Sequence, residues 1–377
     1  MFVDYVLNGQ GHGEVGEQLA GCRYDPGLLR PYIGKNGRKY VTVNTGRTED
    51  GKPVYEARLV TDMMNMGIPV PVANATSLRK DEWIELDRVV IKAARQRLRA
   101  WTDLEAASSF GGFNGMAKMI LEHETMSDPG EAVVDMDALT PGRTDSPKFQ
   151  LEGLPLPITH SDFWFSSRRL AVSRNTGTPL DTTMAEAAGR RVAEQIEKTL
   201  IGTITGVTYG AAANYSRNPT VYGYLNFPQR ITKTNVTTPD GTNGATTVDD
   251  VLAMIQLAND ANYYGPFMLY HSPDWNKYMD DDYRAQDSRT LRTRLREIEG
   301  ITDVRSLDFL AGQTFTLILV QMTSEVARAV NGMEITTVQW ETMGGMRVNF
   351  KVMCIKVPQL RADYNGNTGL VIGTTTA

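Results

Sequence analysis

Thr178-Pro179-Leu180-Asp181-Thr182-Thr183-Met184-Ala185-Glu186-Ala187-Ala188-Gly189-Arg190-Arg191-Val192-Ala193-Glu194-Gln195-Ile196-Glu197-Lys198-Thr199-Leu200-Ile201-Gly202 is the stretch that decides how this chain is read. Thr178 is a capping residue, Pro179 occupies the first helical position and Asp181 stands where a capping box needs an acid. Leu180, Met184, Ala188, Val192, Ile196 and Leu200 recur every four residues and form one apolar stripe. Glu186 with Arg190, and Glu194 with Lys198, are spaced and oriented as ion pairs on other faces. Gly202 closes the run. At roughly 22 residues the helix spans about 33 Å, long enough to brace a whole domain.

Upstream, a second helix starts near residue 77. Ser77 is placed to cap it, Asp81 and Glu82 lie in its first turn, and Trp83, Leu86, Val90, Ala94, Leu98 and Trp101 carry the apolar period. Arg95, Arg97 and Arg99 crowd its far end, where the helix dipole favours cations. Between the two helices, residues 127–160 are rich in Asp, Gly and Pro. Two strand-like pieces there, Glu131–Met136 and Lys148–Glu152, predict a protruding two-stranded loop. Ile158 to Leu170 reads as an extended aromatic segment containing Phe163, Trp164 and Phe165. Before residue 70 the chain is punctuated by Gly and Pro, and Arg38–Val43 and Val54–Val60 flank a turn at Thr48–Gly51 as a hairpin.

Downstream, residues 205–247 read as a loop-rich insertion, followed by a helix over about 248–262. Pro266–Tyr270 is an apolar strand, with short helices near 274–279 and, rich in arginine, 288–299. Strands are expected at Phe315–Gln321, Val326–Val330, Thr336–Trp340, Arg347–Pro358 and Gly369–Ile372. The class is α+β with long appendages.

The composition is that of a chain that buries a core, with 41% hydrophobic and 22% charged residues among 377. Its 34 glycines concentrate outside the helices. No apolar run is long enough to span a membrane. Met1–Gln10 lacks the basic and apolar regions of a signal peptide, so a cytoplasmic setting is expected. The formal charge of −5 argues against a dominant basic face that wraps nucleic acid, but not against a container around it.

Readable enzyme chemistry is absent. Gly11-His12-Gly13-Glu14-Val15-Gly16 has the glycine spacing of a dinucleotide loop, but lacks the preceding strand, the following helix and the acid. His12, His123, His160 and His271 stand apart from one another and from Cys22 and Cys354, so no metal spacing and no disulfide framework appears. His160-Ser161-Asp162 alternates strand faces and is no relay. Asp280-Asp281-Asp282 reads as an acidic surface loop. Arg284, Arg289, Arg292, Arg294 and Arg296 read as a solvated or subunit-facing helix before a phosphate site. No catalytic, cofactor-binding or metal residue is therefore assigned, and no cofactor is expected.

The order of parts resembles the Hong Kong 97-like capsid fold of tailed-phage major capsid proteins and encapsulins. Leu78–Asp87 is similar to the N-terminal helix of encapsulins. Leu154–Ile158, Phe163–Ser166 and Thr178–Asp181 are similar to their run into the spine helix, and Tyr264–Asp274 to an axial strand ending in Ser-Pro-Asp. The resemblance covers residues 78–377. It implies an N-terminal arm (1–77), an N-terminal helix and connector (78–126) and an extended loop (127–160). It further implies a peripheral domain (161–225 and 336–377) with the spine at 181–201, and an axial domain (226–335).

The implied function is a major capsid protein, not an enzyme. It would self-assemble as pentamers and hexamers into an icosahedral shell around double-stranded DNA, without sequence specificity and without a membrane. No scaffolding-type helical pro-segment is readable, which implies a separate scaffolding protein, with a portal and a decoration protein as further partners. The location implied is the virion capsid, assembled in the bacterial host cytoplasm. Some relatives join lysine to asparagine between subunits, and Lys118, Lys148, Asn349 and Asn365 are conceivable partners. The alternatives are an encapsulin shell around a cargo enzyme and, in another class, a cytoplasmic enzyme with an unrecognised site.

Overall fold

Two helices lying side by side organise the molecule. The structure, a computed structural model, describes residues 32–33, 36, 38–49, 52–59, 61, 80–127, 132, 134–137, 146–176, 182–210, 215–240, 244–284, 287–310, 312 and 315–375. Its first four helices are α1 (Lys80–Arg97), α2 (Ala100–Ala107), α3 (Ser167–Thr176) and α4 (Thr183–Ile201). The spine expected over 181–201 is α4. Its cap expected at Thr178–Asp181 lies outside the described residues, as do Ser77, the 11–16 glycine loop and Cys22.

Ala188, Val192, Ile196 and Leu200 are buried as the stripe requires, and Ala185, Ala193, Glu197 and Ile201 widen it. Met184, expected in the stripe, is exposed instead. Gly202 caps the C-terminus at φ 85°, a left-handed conformation that glycine adopts without strain. The two expected i,i+4 pairs are replaced: Glu194 takes Arg190, Arg191 and, from α1, Arg97 at 3.7–3.8 Å. Where α1 crosses α4, a side chain at Gly189 would begin 2.8 Å from the Val90 carbonyl oxygen. Only glycine allows this approach.

The single helix expected from 77 through Trp101 is two. The buried carboxylate of Glu197 accepts the Trp101 N–H at 3.0 Å. It also takes backbone hydrogen bonds from Arg99 and Ala100, so a side chain from α4 caps α2 where α1 would otherwise continue.

A four-stranded sheet packs on these helices in the order β4 (Ser109–Phe110), β14 (Ala327–Thr342), β15 (Arg347–Leu360), β7 (Thr159–Ser166). Its inner face carries Phe163, Phe165, Val348, Phe350 and Val352 into a core with Leu86, Val90, Val192 and Ile196. Phe163 stacks on Phe350 with ring centroids 5.0 Å apart. The strands expected at 326–330 and 336–340 are one, β14, because register shifts between Asn331 and Thr336 break the alternation without ending the pairing. The extended segment expected to reach Leu170 stops at Ser166, where α3 begins.

A five-stranded sheet has the order β12 (Ile301–Ser306), β9 (Phe267–His271), β13 (Leu317–Gln321), β16 (Leu370–Gly373), β8 (Ile231–Lys233). β9, β13 and β16 are buried throughout. With α5 (Gly244–Asp260) and α7 (Leu291–Arg296) this sheet encloses a second core around Val251, Met254, Leu269, Trp275 and Leu295. β16 was expected to complete the peripheral sheet, but it pairs with β13 and β8. Its unbroken apolar run suits a central strand covered on both faces. The arginine-rich helix expected from Ser288 is shorter, since Asp287–Thr290 forms β11, paired with β10 (Asp282–Arg284). The short helix α6 (Asn276–Met279) follows a 3-10 turn as expected.

The N-terminal hairpin pairs β2 (Lys39–Glu49) with β3 (Lys52–Leu59), and β1 (Tyr32–Ile33) adds to its edge.

Candidate assembly surfaces

The protruding loop is built on β5 (Ile120–Met126) and β6 (Phe149–Pro155), paired antiparallel from Ile120↔Pro155 to Met126↔Phe149. The upstream strand is therefore 120–126. The described residues of Glu131–Met136, which looked like that strand, form none. Their alternation reflects exposure and not pairing: Val134 and Met136 are almost fully solvent-exposed, as are Met126 and Phe149 by more than half. Apolar side chains set on a projection, away from either core, are surface to be covered by something else.

The root of this hairpin is fixed. Leu154 and Leu156 enter a small core with Val330, Met333, Ile355 and Val357. Residues 207–210 and 215–220 lie along it: Ser216 donates its N–H to Leu151 O at 2.9 Å, Tyr215 donates to Glu122 at 2.8 Å, and Tyr209 reaches Met119. A small pocket there has His123, Glu152, Arg217 and Gln359 on its polar side and Leu154, Phe227 and Leu360 on its apolar side. Arg217 binds both Glu152 and Gln229. His123 Nε2 lies 3.2 Å from Glu152, and Nδ1 lies 3.1 Å from the Gln359 amide. Burial alone would raise Glu152, but the His123 hydrogen bond and the Arg217 charge hold it below the usual carboxylate range. This cluster is a clamp, with no nucleophile set against a base.

The outer face of the four-stranded sheet is the second surface. Strand alternation sends Trp164 outward between the buried Phe163 and Phe165, so the three adjacent aromatics divide between two faces. The Arg347 guanidinium stacks over the Trp164 ring at 4.4 Å, and Lys351 lies over Trp340 at 5.8 Å. Lys351 also pairs with Asp162, which contacts His160 Nδ1 at 3.3 Å. His160 and Asp162 share this face, and Ser161 lies on the other, so no relay forms. Met343 and Met346, at the β14–β15 turn, extend the apolar rim.

The remaining singled-out residues are structural or solvated. Burial pushes the Glu197 carboxyl up to about 7 and the Cys354 thiol up to about 12, which leaves that thiol unreactive. Burial pushes His271 down to about 4, and its Nδ1 lies 3.0 Å from Ser272 O. Beside Glu197, Asp103 accepts from Tyr270 at 3.1 Å and pairs with Arg305, which joins α2 to the five-stranded sheet. Asp280, Asp281 and Asp282 are exposed, and Asp280 pairs with Arg292 at 3.1 Å. Arg289 pairs with Glu297, and Arg296 with Asp303, at 2.7 Å each. Arg294 is half-buried on α7. Lys118, Lys148 and Asn365 are exposed, whereas Asn349 is buried and donates to Thr342. Among the described residues, no group of three His, Cys, Asp or Glu is placed to hold a metal, and no helix is long and apolar enough to cross a membrane.

Residues 73–373 match a family described as "Family of unknown function (DUF6260)". The chain belongs to this family. No curated protein matches the chain by sequence. Among solved structures, the DUF6260 chain is similar to a virus-like particle from Pyrococcus furiosus, with 16% identity and a TM-score of 0.53 over 76% of this chain and 97% of that one. It is similar to the capsid of Myoviridae phage XM1, with 10% identity and a TM-score of 0.53 over 72% and 90% of the two chains. The capsid of a native GTA particle gives 11% identity and a TM-score of 0.52 over 74% and 92%. Nearly the whole of each of those chains is matched. The fold of this DUF6260 member is the Hong Kong 97-like capsid fold, α+β, as its order of parts implied.

Proposed function

We propose that this protein is a major capsid protein, a shell subunit of a tailed bacteriophage. It assembles as pentamers and hexamers into an icosahedral container for double-stranded DNA. One observation carries the reading beyond the fold: the β5–β6 projection holds Met126, Val134, Met136 and Phe149 in solvent while its root is clamped to the body. A rigidly mounted apolar projection is stable in a single subunit only at the cost of exposed apolar area. Contact with a neighbour removes that area from water.

In this reading the four-stranded sheet with α4 is the peripheral domain and the five-stranded sheet is the axial domain, meeting its copies around five- and six-fold axes. Such ring contacts are heterologous and close by rotation. Each contact is weak alone, and the many per subunit make the shell firm. Function then comes from binding energy, with no catalytic group and no cofactor. A separate scaffolding protein, a portal and a decoration protein are the further partners. The setting is the virion capsid, assembled in the bacterial host cytoplasm. A second content for the same container is a cargo enzyme, as the resemblance to encapsulins implies. Purified shells decide between them: nuclease-protected DNA supports the phage reading, and a co-purifying enzyme supports the cargo reading.

A further inference from the structure

One strongly charged surface has no part in the clamp, the hairpin or the outer sheet face. Along α1, Arg88, Lys92 and Arg95 are exposed, and Arg99 follows just beyond its end. Spacings of four and three residues place Arg88, Lys92 and Arg95 in a single line down the helix. Leu86, Val90, Ala93 and Ala94 occupy the opposite, buried side. Among the described residues, no carboxylate lies within ion-pair distance of Arg88, Lys92 or Arg95. Arg99 reaches Asp308 only at 4.0 Å, with both side chains more than half exposed.

Val90 meets Gly189 and Arg97 meets Glu194, so α4 packs on the side of α1 opposite the line. Arg190 and Arg191 of α4 share Glu194 with Arg97 on that other side and are no part of the line. The exposed acids Glu85 and Glu186 stand near the N-terminal ends of the two helices. A chain of formal net charge −5 has thus gathered uncompensated cations on one helical face.

We infer that the exposed face of α1 meets packaged duplex DNA through its phosphates, without reading bases. The inference rests on the shell reading. From Arg88 to Arg95 the line is about 10 Å long, over which one strand of a duplex presents about three phosphates. Flexible, exposed side chains on a convex helix neutralise a continuous polyanion without fixed partners. They have no shaped cleft or buried donor with which to select a base edge. A protein neighbour would instead have to bring matching carboxylates and desolvate each pair.

The test uses the full-length chain before assembly, titrated into a fluorescently labelled duplex of mixed sequence and followed by anisotropy at several salt concentrations. Three phosphate contacts predict an affinity that falls about fortyfold between about 50 and about 200 mM salt, equally for unrelated sequences. R88Q/K92Q/R95Q should lower the salt slope by about 3. K118Q/K148Q/R169Q, which removes three exposed cations elsewhere, should keep it. Shells that still form from the first variant, with DNA binding lost, support the inference. DNA binding equal to wild type in that variant overturns it and leaves the shell reading standing. Unchanged DNA binding with assembly abolished also overturns it, and makes the face a subunit contact.

Discussion

At the scale of single residues, Glu197 and Gly189 set how α1, α2 and α4 meet. Burial holds Glu197 near 7, above its ordinary 4.5, so the folded state takes up its proton more readily than the unfolded chain. Its favourable contribution is complete below pH 4.5 and is lost as pH rises through about 7, a swing of about 3 kcal/mol. Urea unfolding of the unassembled chain should therefore show stability falling over that window relative to E197Q, whose side chain keeps the Trp101 acceptor without the charge. His271 runs in the opposite direction. Burial depresses it, so its contribution is full above pH 6.5 and is lost as pH falls through about 4. In H271Q that acid limb should disappear. At Gly189, substitution by valine forces α1 away from α4, and a cost of about 1–3 kcal/mol in the same assay is expected. A G189V chain as stable as wild type would show that the Val90–Gly189 approach does not matter. None of this was readable beforehand. The apolar stripe around Glu197 is periodic, but nothing in the sequence says that an acid inside it faces the N-terminus of a helix almost a hundred residues away.

At the scale of elements, α4 and the buried strand β9 were legible because each carries its period or its apolar run without interruption. The errors occur where a local pattern competes with a distant partner. Ile120–Met126 contains Glu122, His123 and Glu124 and looks unlike a strand, yet it pairs fully with Phe149–Pro155. Glu131–Met136 alternates well, yet its described residues form no strand. β14 looked broken at Gly332 because sequence cannot show that β15 continues to pair across the shift. For the hairpin, replacing residues 127–148 by a short turn removes the exposed tip and leaves the root with Leu154 and Leu156 in place. The truncated chain should melt within a few degrees of wild type and fail to form shells by electron microscopy. Normal shells from it would remove the hairpin tip from the assembly contacts.

At the scale of the whole molecule, the candidate surfaces were only partly legible. Trp164 stands between two core phenylalanines in one aromatic run, and its outward turn onto Arg347 follows from strand alternation once the register is known. The order of arm, loop, long helix and sheets survived every local error. That order depends on where long periodic segments fall, and a slip of a few residues at a boundary does not change it. The molecule thus combines two well-packed cores with a clamped apolar projection, an aromatic–cationic sheet face and a cationic helical face. Such a combination has a use when copies meet on one side and a polyanion on another. The most direct measurement is electron microscopy of particles purified after co-expressing the chain with the genes that flank its own. Closed isometric shells tens of nanometres across, built from this chain, are the predicted result. A chain recovered only as a monomer or small oligomer under those conditions would contradict the shell reading.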